Sequence, residues 1–383
     1  MSHDKYFEAI DSLYEKYLKV WEEFCNIESP TDCKAGVDAC GEYMCNIARG
    51  LGMDVEVFEQ PVSGNAVCIT LNPDAEGAPI CISGHMDTVH PVGSFGTPAV
   101  RFEDDKIYGP GVTDCKGGIV AGMLALEALC KAGYKKRPVR LLLQSDEENG
   151  SKRSNKATIK YICEKAKGAE AFLNLEGHGA GTTCIQRKGI ITFCLTVTGV
   201  AAHSCNVAQE GSNAIADAAH KIIEIEKIKD DAGVTCNCGV IRGGTVVNSV
   251  PDHCEVMVNV RFASAEQLDW ITNRINEIAA IEHVPGCHCQ VSVESFRVAM
   301  EYSERNVELL EKVNRALESA GITTLRGVMR KGGSDAADVT AFGIPCLDSI
   351  GVKGKEIHKT SEFAYVESLR EAAQRIAAVA EYM

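Results

Sequence analysis

Short, wholly apolar runs that stop at a charged or metal-binding side chain constrain this chain most. APICISG ends at His85, VRLLLQSD runs into Glu147 and Glu148, and AFLNL ends at Glu176. A brief apolar run without alternation, broken by glycine, suits a central parallel strand buried on both faces and ending in a loop. Between the first two runs GGIVAGMLALEALCKAG reads as a long apolar helix after a glycine-rich turn. Residues 4 to 26 and 37 to 51 read as further helices, with DVEVFEQ and NAVCITLN as strands. Strands alternating with helices predict an α/β fold: a mixed, mostly parallel sheet covered by helices.

At 383 residues the chain exceeds the size at which one core stops growing, so two domains are expected. From Lys188 the texture changes to ITFCLTVTGV, a helix near 212 to 229, CNCGVIRGG, CEVMVNVRF, a helix near 264 to 281, and CHCQVSVES. That order of strand, helix, two strands, helix, strand resembles a compact α+β domain inserted in the larger one. The expected division is 1–187 with 298–383 against 188–297. The tail from about 303 returns to helix, KGGSDAAD, a short strand at IPCLDSI and a closing helix from 366.

Composition narrows the function. A net charge of -14 argues against a nucleic-acid partner, since phosphate binding draws on clustered Lys and Arg. No run reaches the roughly 18 apolar residues of a membrane span, and the first residues lack the apolar core of a secretion signal. A cytoplasmic protein is the simplest expectation. Its 18 cysteines then read as reduced, small apolar residues. The pairs Cys236 with Cys238 and Cys287 with Cys289 are spaced CxC, which puts both side chains on one strand face, unlike the usual CxxC of zinc ligands. No CxxC occurs to support thiol redox chemistry.

The functional groups collect at the ends of apolar runs: His85 and Asp87, Asp114 in GPGVTDCKGG, Glu147 and Glu148, Glu176, and His358. In an α/β sheet the carboxyl ends of strands open onto one crevice, so residues far apart in sequence converge there. Two imidazoles with several carboxylates suit zinc or a similar divalent ion, and the absence of cysteine favours a catalytic site. A bare Glu–Glu pair is usually a wet turn; this company makes it a candidate for metal binding and proton transfer.

The ordered set GHMDT, GPGVTDCKGG, SDEENGS, NLEG and GGSDAAD with a late histidine resembles the M20 family of co-catalytic zinc exopeptidases and deacylases, over nearly the whole chain. Its closest likeness is to the glutamate carboxypeptidase (carboxypeptidase G2-like) branch. The resemblance implies two Zn2+ per chain, with Co2+ or Mn2+ as substitutes. His85 and Glu176 would bind one zinc, His358 and Glu148 the other, and Asp114 would bridge them, followed by a cis peptide at Cys115. Asp87 would accept the second N–H of His85, and Glu147 would act as general base toward a metal-activated water. Consecutive extended residues face opposite ways, so the adjacent glutamates can take different tasks.

By the same resemblance, the inserted domain is a lid that makes a homodimer, and His203 in TGVAAHSC stabilises the oxyanion in the partner subunit's site. Asn248, Arg261 and Gly333 in KGGSDAAD match substrate-contacting positions; Arg suits the carboxylate of a C-terminal residue, and Gly lets the main chain approach substrate. KGGSDAAD lacks the order of a phosphate-binding loop. His90 and His178 match no ligand position and read as cleft-wall or surface residues. The implied activity is a carboxypeptidase acting on small peptides, with glutamate as one candidate C-terminal residue; the alternative is a deacylase of N-acyl amino acids, of the acetylornithine or succinyl-diaminopimelate type. A metal-free scaffold would have lost a ligand or Glu147, and none is lost.

Overall fold

The apolar runs are strands of one sheet. The computed structural model describes residues 5–206, 210–228 and 233–383; the expected helical residues 4 and 229 lie outside them. Two compact units emerge, one of residues 1–185, 302–329 and 334–383 and one of 186–301 and 330–333.

In the first unit six strands lie in the order Asp54–Phe58, Ala66–Leu71, Val139–Gln144, Ile80–His85, Ala171–Asn174, Cys346–Leu347. The last four are mutually parallel, and Ala66–Leu71 runs antiparallel to both its neighbours. Every residue of Ile80–His85 is buried, as an unbroken apolar run requires. The helix Lys116–Lys131 is buried on all sides through Leu129, because helices Lys5–Asn26 and Ser368–Tyr382 cover what the sheet leaves open. Its first turn approaches the sheet so closely that a Cβ on Gly118 would stand 2.2 Å from the Leu175 carbonyl oxygen. Any side chain there would push the helix off the strand that leads to Glu176.

A feature without a sequence signature completes this unit. Four strands of two or three residues, in the order Gly354–Lys355, Phe363–Tyr365, Lys106–Tyr108, Arg101–Glu103, form a small antiparallel sheet. It fastens the segment after residue 353 to the segment before Asp114, positions some 250 residues apart.

The second unit follows the expected element order. Its antiparallel sheet runs Thr235–Gly243, His253–Phe262, Gly189–Thr198, His288–Arg297, with helices Ala214–Glu226 and Ala265–Ala280 against it. The strand His253–Phe262 alternates between buried and less buried positions, the pattern of a sheet with one covered face. Asn213 and Ser264 cap the two helices, accepting the N–H groups of Ala216 and Gln267. Residues 330–333 belong here rather than with the tail, because Arg187 Nη1 donates to the Gly332 carbonyl at 3.1 Å and Lys188 N to that of Arg330 at 3.2 Å. Among the described residues no cysteine forms a disulfide, including those of both CxC pairs, and no helix is long and apolar enough to cross a membrane.

Candidate metal centre

Strand register brings the first ligands level. His85 pairs with Gln144 and Ser83 with Asn174, so His85 closes its strand just where the neighbouring chains turn toward Glu147 and Glu176. The imidazole is 2% exposed, and its Nδ1 lies 2.9 Å from the Asp87 carbonyl oxygen. A carbonyl only accepts, so Nδ1 carries the proton and Nε2 is left facing the carboxylates. The expected partner of Nδ1 was the Asp87 carboxylate; it stands farther off, at 3.5 Å. That carboxylate is spent elsewhere: Oδ1 accepts the Glu147 N–H at 3.0 Å, and Oδ2 accepts the Glu148 N–H at 3.1 Å and the Thr31 hydroxyl at 2.7 Å.

The two glutamates are not on an extended strand. They open a turn, 147–150, closed by Gly150 N donating to the Glu147 carbonyl at 2.7 Å. Asp87 grips the turn from one side and buried Asp146 from the other, its carboxylate accepting from Ser154 N and the Thr158 hydroxyl. The separate directions of Glu147 and Glu148 therefore come from a braced turn rather than from strand pleating.

Asp114 is the hinge of the site. Its Oδ1 lies 3.1 Å from His85 Nε2 and its Oδ2 lies 3.1 Å from His358 Nε2. Glu176 stands 3.6 Å from His85 Nε2, and Glu148 stands 3.4 Å from His358 Nε2. Two triads result, His85–Asp114–Glu176 and Asp114–Glu148–His358, each with ligand atoms within 4.8 Å of one another. Tetrahedral ligands around an ion with bonds near 2.1 Å are separated by about 3.4 Å, so both triads have the spacing that a divalent ion such as zinc gathers. The peptide from Asp114 to Cys115 is cis, as the family resemblance implied.

A residue unnoticed in the sequence holds this hinge. Glu362, 1% exposed, accepts the N–H groups of Thr113 at 2.8 Å and Asp114 at 3.0 Å, and its other oxygen lies 3.1 Å from His90 Nε2. It sits four residues beyond His358, so one carboxylate ties the loop of that histidine to the backbone of Asp114. His90 and His178 are each 6% exposed: His90 serves Glu362, and His178 Nδ1 donates to the Ser349 carbonyl at 2.9 Å. Neither is a surface residue. A Glu before the short run FAY was the available signal for Glu362, and it was weak; Thr31 offered none.

Electrostatics mark the cluster as short of positive charge. Burial pushes the Glu148 carboxyl up to about 8, with Asp114 and Glu147 adding to it against His358 and His85. Burial and the Asp114 charge push Glu176 well up too. Burial would also raise Asp114, but its hydrogen bonds with His358 and His85 outweigh that and hold it far below the usual carboxylate range. Those with Asp114 and Glu148 push His358 up to about 10. Four carboxylates against two imidazoles is a donor set that divalent cations balance.

The remaining expected residues lie in the second unit. His203 is exposed, bridges Ser249 through the main chain, and has its Nδ1 3.1 Å from Cys205 Sγ. Asn248, also exposed, offers its carbonyl to Ser204 N, so it stands beside His203. Arg261 donates to the Lys331 carbonyl at 3.3 Å, which places it near Gly333, itself packed on Arg297. They form two pairs, His203 with Asn248 and Arg261 with the 331–333 segment.

Residues 81–382 match the model of peptidase family M20/M25/M40. Carboxypeptidase G2 of Pseudomonas sp. (strain RS-16) is 28% identical over 92% of this chain and 85% of its own length. Succinyl-diaminopimelate desuccinylase of Rickettsia typhi is 24% identical over 94% of this chain and 96% of its own. Among solved structures, aminopeptidase PepT of Bacillus cereus superposes with a TM-score of 0.81 at 24% identity, covering 96% of this chain and 98% of that one. Because the family match spans both triads and the turn between them, the chain belongs to peptidase family M20/M25/M40 and is a metal-dependent hydrolase.

Proposed function

We propose that the chain is a dinuclear zinc amidohydrolase that removes a C-terminal residue, glutamate being the leading candidate, from small peptides or N-acyl amino acids. The observation that carries the reading is the division of the two Asp114 oxygens between His85 and His358. His85, Asp114 and Glu176 would hold one ion and Asp114, Glu148 and His358 the other. When bound, the ions would supply Lewis acidity to the scissile carbonyl and make a water acidic enough to attack near neutral pH.

Glu147 would take the proton of the attacking water and return it to the leaving amine. Its main-chain N–H is fixed by Asp87, so its side chain starts from an anchored turn. Asp87 has a positioning task, binding His85 by its carbonyl and the glutamate turn by its carboxylate. His203 would donate to the oxyanion in a partner subunit, with Asn248, Arg261 and Gly333 contacting substrate and Arg261 meeting its carboxylate. This part of the reading calls for a homodimer. That no cysteine forms a disulfide among the described residues supports a reducing, cytoplasmic setting.

The 28% identity to carboxypeptidase G2, against 24% to the Rickettsia typhi desuccinylase, is what supports the carboxypeptidase over the deacylase. The test joins metal analysis of the purified protein to a screen of C-terminal glutamate conjugates, dipeptides, and N-acetyl and N-succinyl amino acids. Two zinc per chain with chelator-sensitive release of C-terminal residues is expected. Preference for N-succinyl or N-acetyl substrates would select the deacylase, and absence of both metal and hydrolysis would refute the proposal.

A further inference from the structure

The first unit contains a cavity of about 310 Å3 that none of the metal ligands lines; Thr323, Thr324, Lys353, Glu371 and Arg375 are among its walls, with Ile322 and Leu325 as apolar surface. Arg375 is 6% exposed, and its Nε has no hydrogen-bond partner. Its Nη2 is committed to the carbonyls of Ile350 and Gly351, at 3.2 and 2.9 Å. Among the described residues the carboxylate paired with it, Glu371, stands 3.9 Å from Nη1 and is itself held by Lys353 Nζ at 2.5 Å. Two cations thus share one anion, leaving a net positive charge in a chain whose formal charge is -14. Burial draws the guanidinium down to about 10, with Glu371 opposing. A desolvated guanidinium that lines open volume, with only a distant carboxylate facing its Nη1, is a site that an anion completes.

We propose that this cavity binds a small monocarboxylate, its oxygens on Arg375 Nη1 and Lys353 Nζ and its apolar body against Ile322 and Leu325. One net positive charge matches one carboxylate; a phosphate dianion would overcompensate it and waste the apolar wall. The location matters to the enzyme. Arg375 holds the Gly351 carbonyl, and Gly351 N donates to the Glu176 carbonyl at 3.1 Å, so an occupied cavity braces the segment that carries a candidate metal ligand. The inference stands apart from the amide-hydrolysis reading.

Isothermal titration calorimetry on the metal-loaded protein, with propionate and inorganic phosphate as probes, tests it. Lys353→Met and Glu371→Gln alter half-buried rim residues outside the metal centre, and neither removes buried Arg375. Propionate is expected to bind saturably, with affinity lowered about tenfold by Lys353→Met, which deletes a charged donor. Glu371→Gln should tighten binding severalfold, because it removes the resident competitor for both cations. Carboxylate bound at the metal centre would ignore both changes. No saturable propionate binding, equal affinity in all three proteins, or a phosphate response that follows the variants while propionate does not would each overturn the proposal.

Discussion

The two halves of the candidate metal centre are built by opposite means. His85 ends a fully buried strand and is 2% exposed, so the core itself aims it. His358 has its side chain 57% exposed on a loop, in the left-handed conformation at φ 66, a region non-glycine residues rarely occupy. What fixes it is remote: the small sheet pairing Phe363 with Tyr108, and Glu362 reaching the N–H groups of Thr113 and Asp114. One candidate ligand is positioned by the hydrophobic core, the other by a buried polar clamp. The arrangement pairs a rigid half with one whose geometry depends on a single carboxylate.

Glu147 belongs to neither triad and provides the control for that comparison. Glu147→Gln is expected to keep both metals and lower kcat by roughly 10²–10⁴-fold, the usual weight of a general base; metal loss matching that of Glu148→Ala would contradict its separate task. His85→Ala and His358→Ala should then differ. Both lose metal, but removing the buried imidazole should also lower stability by about 2 kcal/mol in denaturant titration, whereas removing the exposed one should cost under about 1 kcal/mol. Equal stability losses would erase the distinction between the halves.

The clamp itself is the next target. Glu362→Ala strands buried N–H groups at Thr113 and Asp114, each costing about 1–3 kcal/mol, and should weaken metal binding by about 10–100-fold as loss of a supporting contact does. Chelator competition reads this directly. Glu362→Gln keeps one accepting oxygen and should recover part of the affinity; a Gln variant as weak as Ala would mean the clamp works through charge rather than through the hydrogen bonds.

The same contrast explains what could be read from the sequence. The strands of the main sheet were legible because burial on both faces demands an unbroken apolar run, and His85 and Glu176 mark where such runs stop. The family resemblance brought Asp114 and His358 into the same set. The small sheet was not legible: strands of two or three residues, such as Gly354–Lys355, carry no periodicity. Glu362 stayed hidden for the same reason, since its partners lie 248 and 249 residues away. The conformation of Glu147 and Glu148 was misread because adjacency alone does not distinguish a pleated strand from a turn braced by Asp87 and Asp146. Polar clamps of high sequence separation leave no local pattern, whereas apolar burial does.

The smallest expected effect concerns the protein stripped of metal. Glu148 is raised to about 8 by burial, and His358 is raised from 6.5 to about 10 by its hydrogen bonds with Asp114 and Glu148. Both groups hold protons more tightly folded than unfolded, so each contributes stability that is present at low pH and lost as pH rises through its folded value. Asp114 has the opposite sign, but its carboxyl sits so far below the usual range that it titrates only in strong acid. Between about 6.5 and about 10 the chelator-treated protein should therefore lose thermal stability as pH increases. Bound metal takes the place of those protons, and above about 6.5 the unfolded groups hold none either, so the loaded protein should keep nearly constant stability over the same interval. Scanning calorimetry of both forms across this range reads the two slopes. Parallel slopes would mean that the His358 triad is not where metal and protons compete, and that the exposed half of the centre owes its geometry to Glu362 alone.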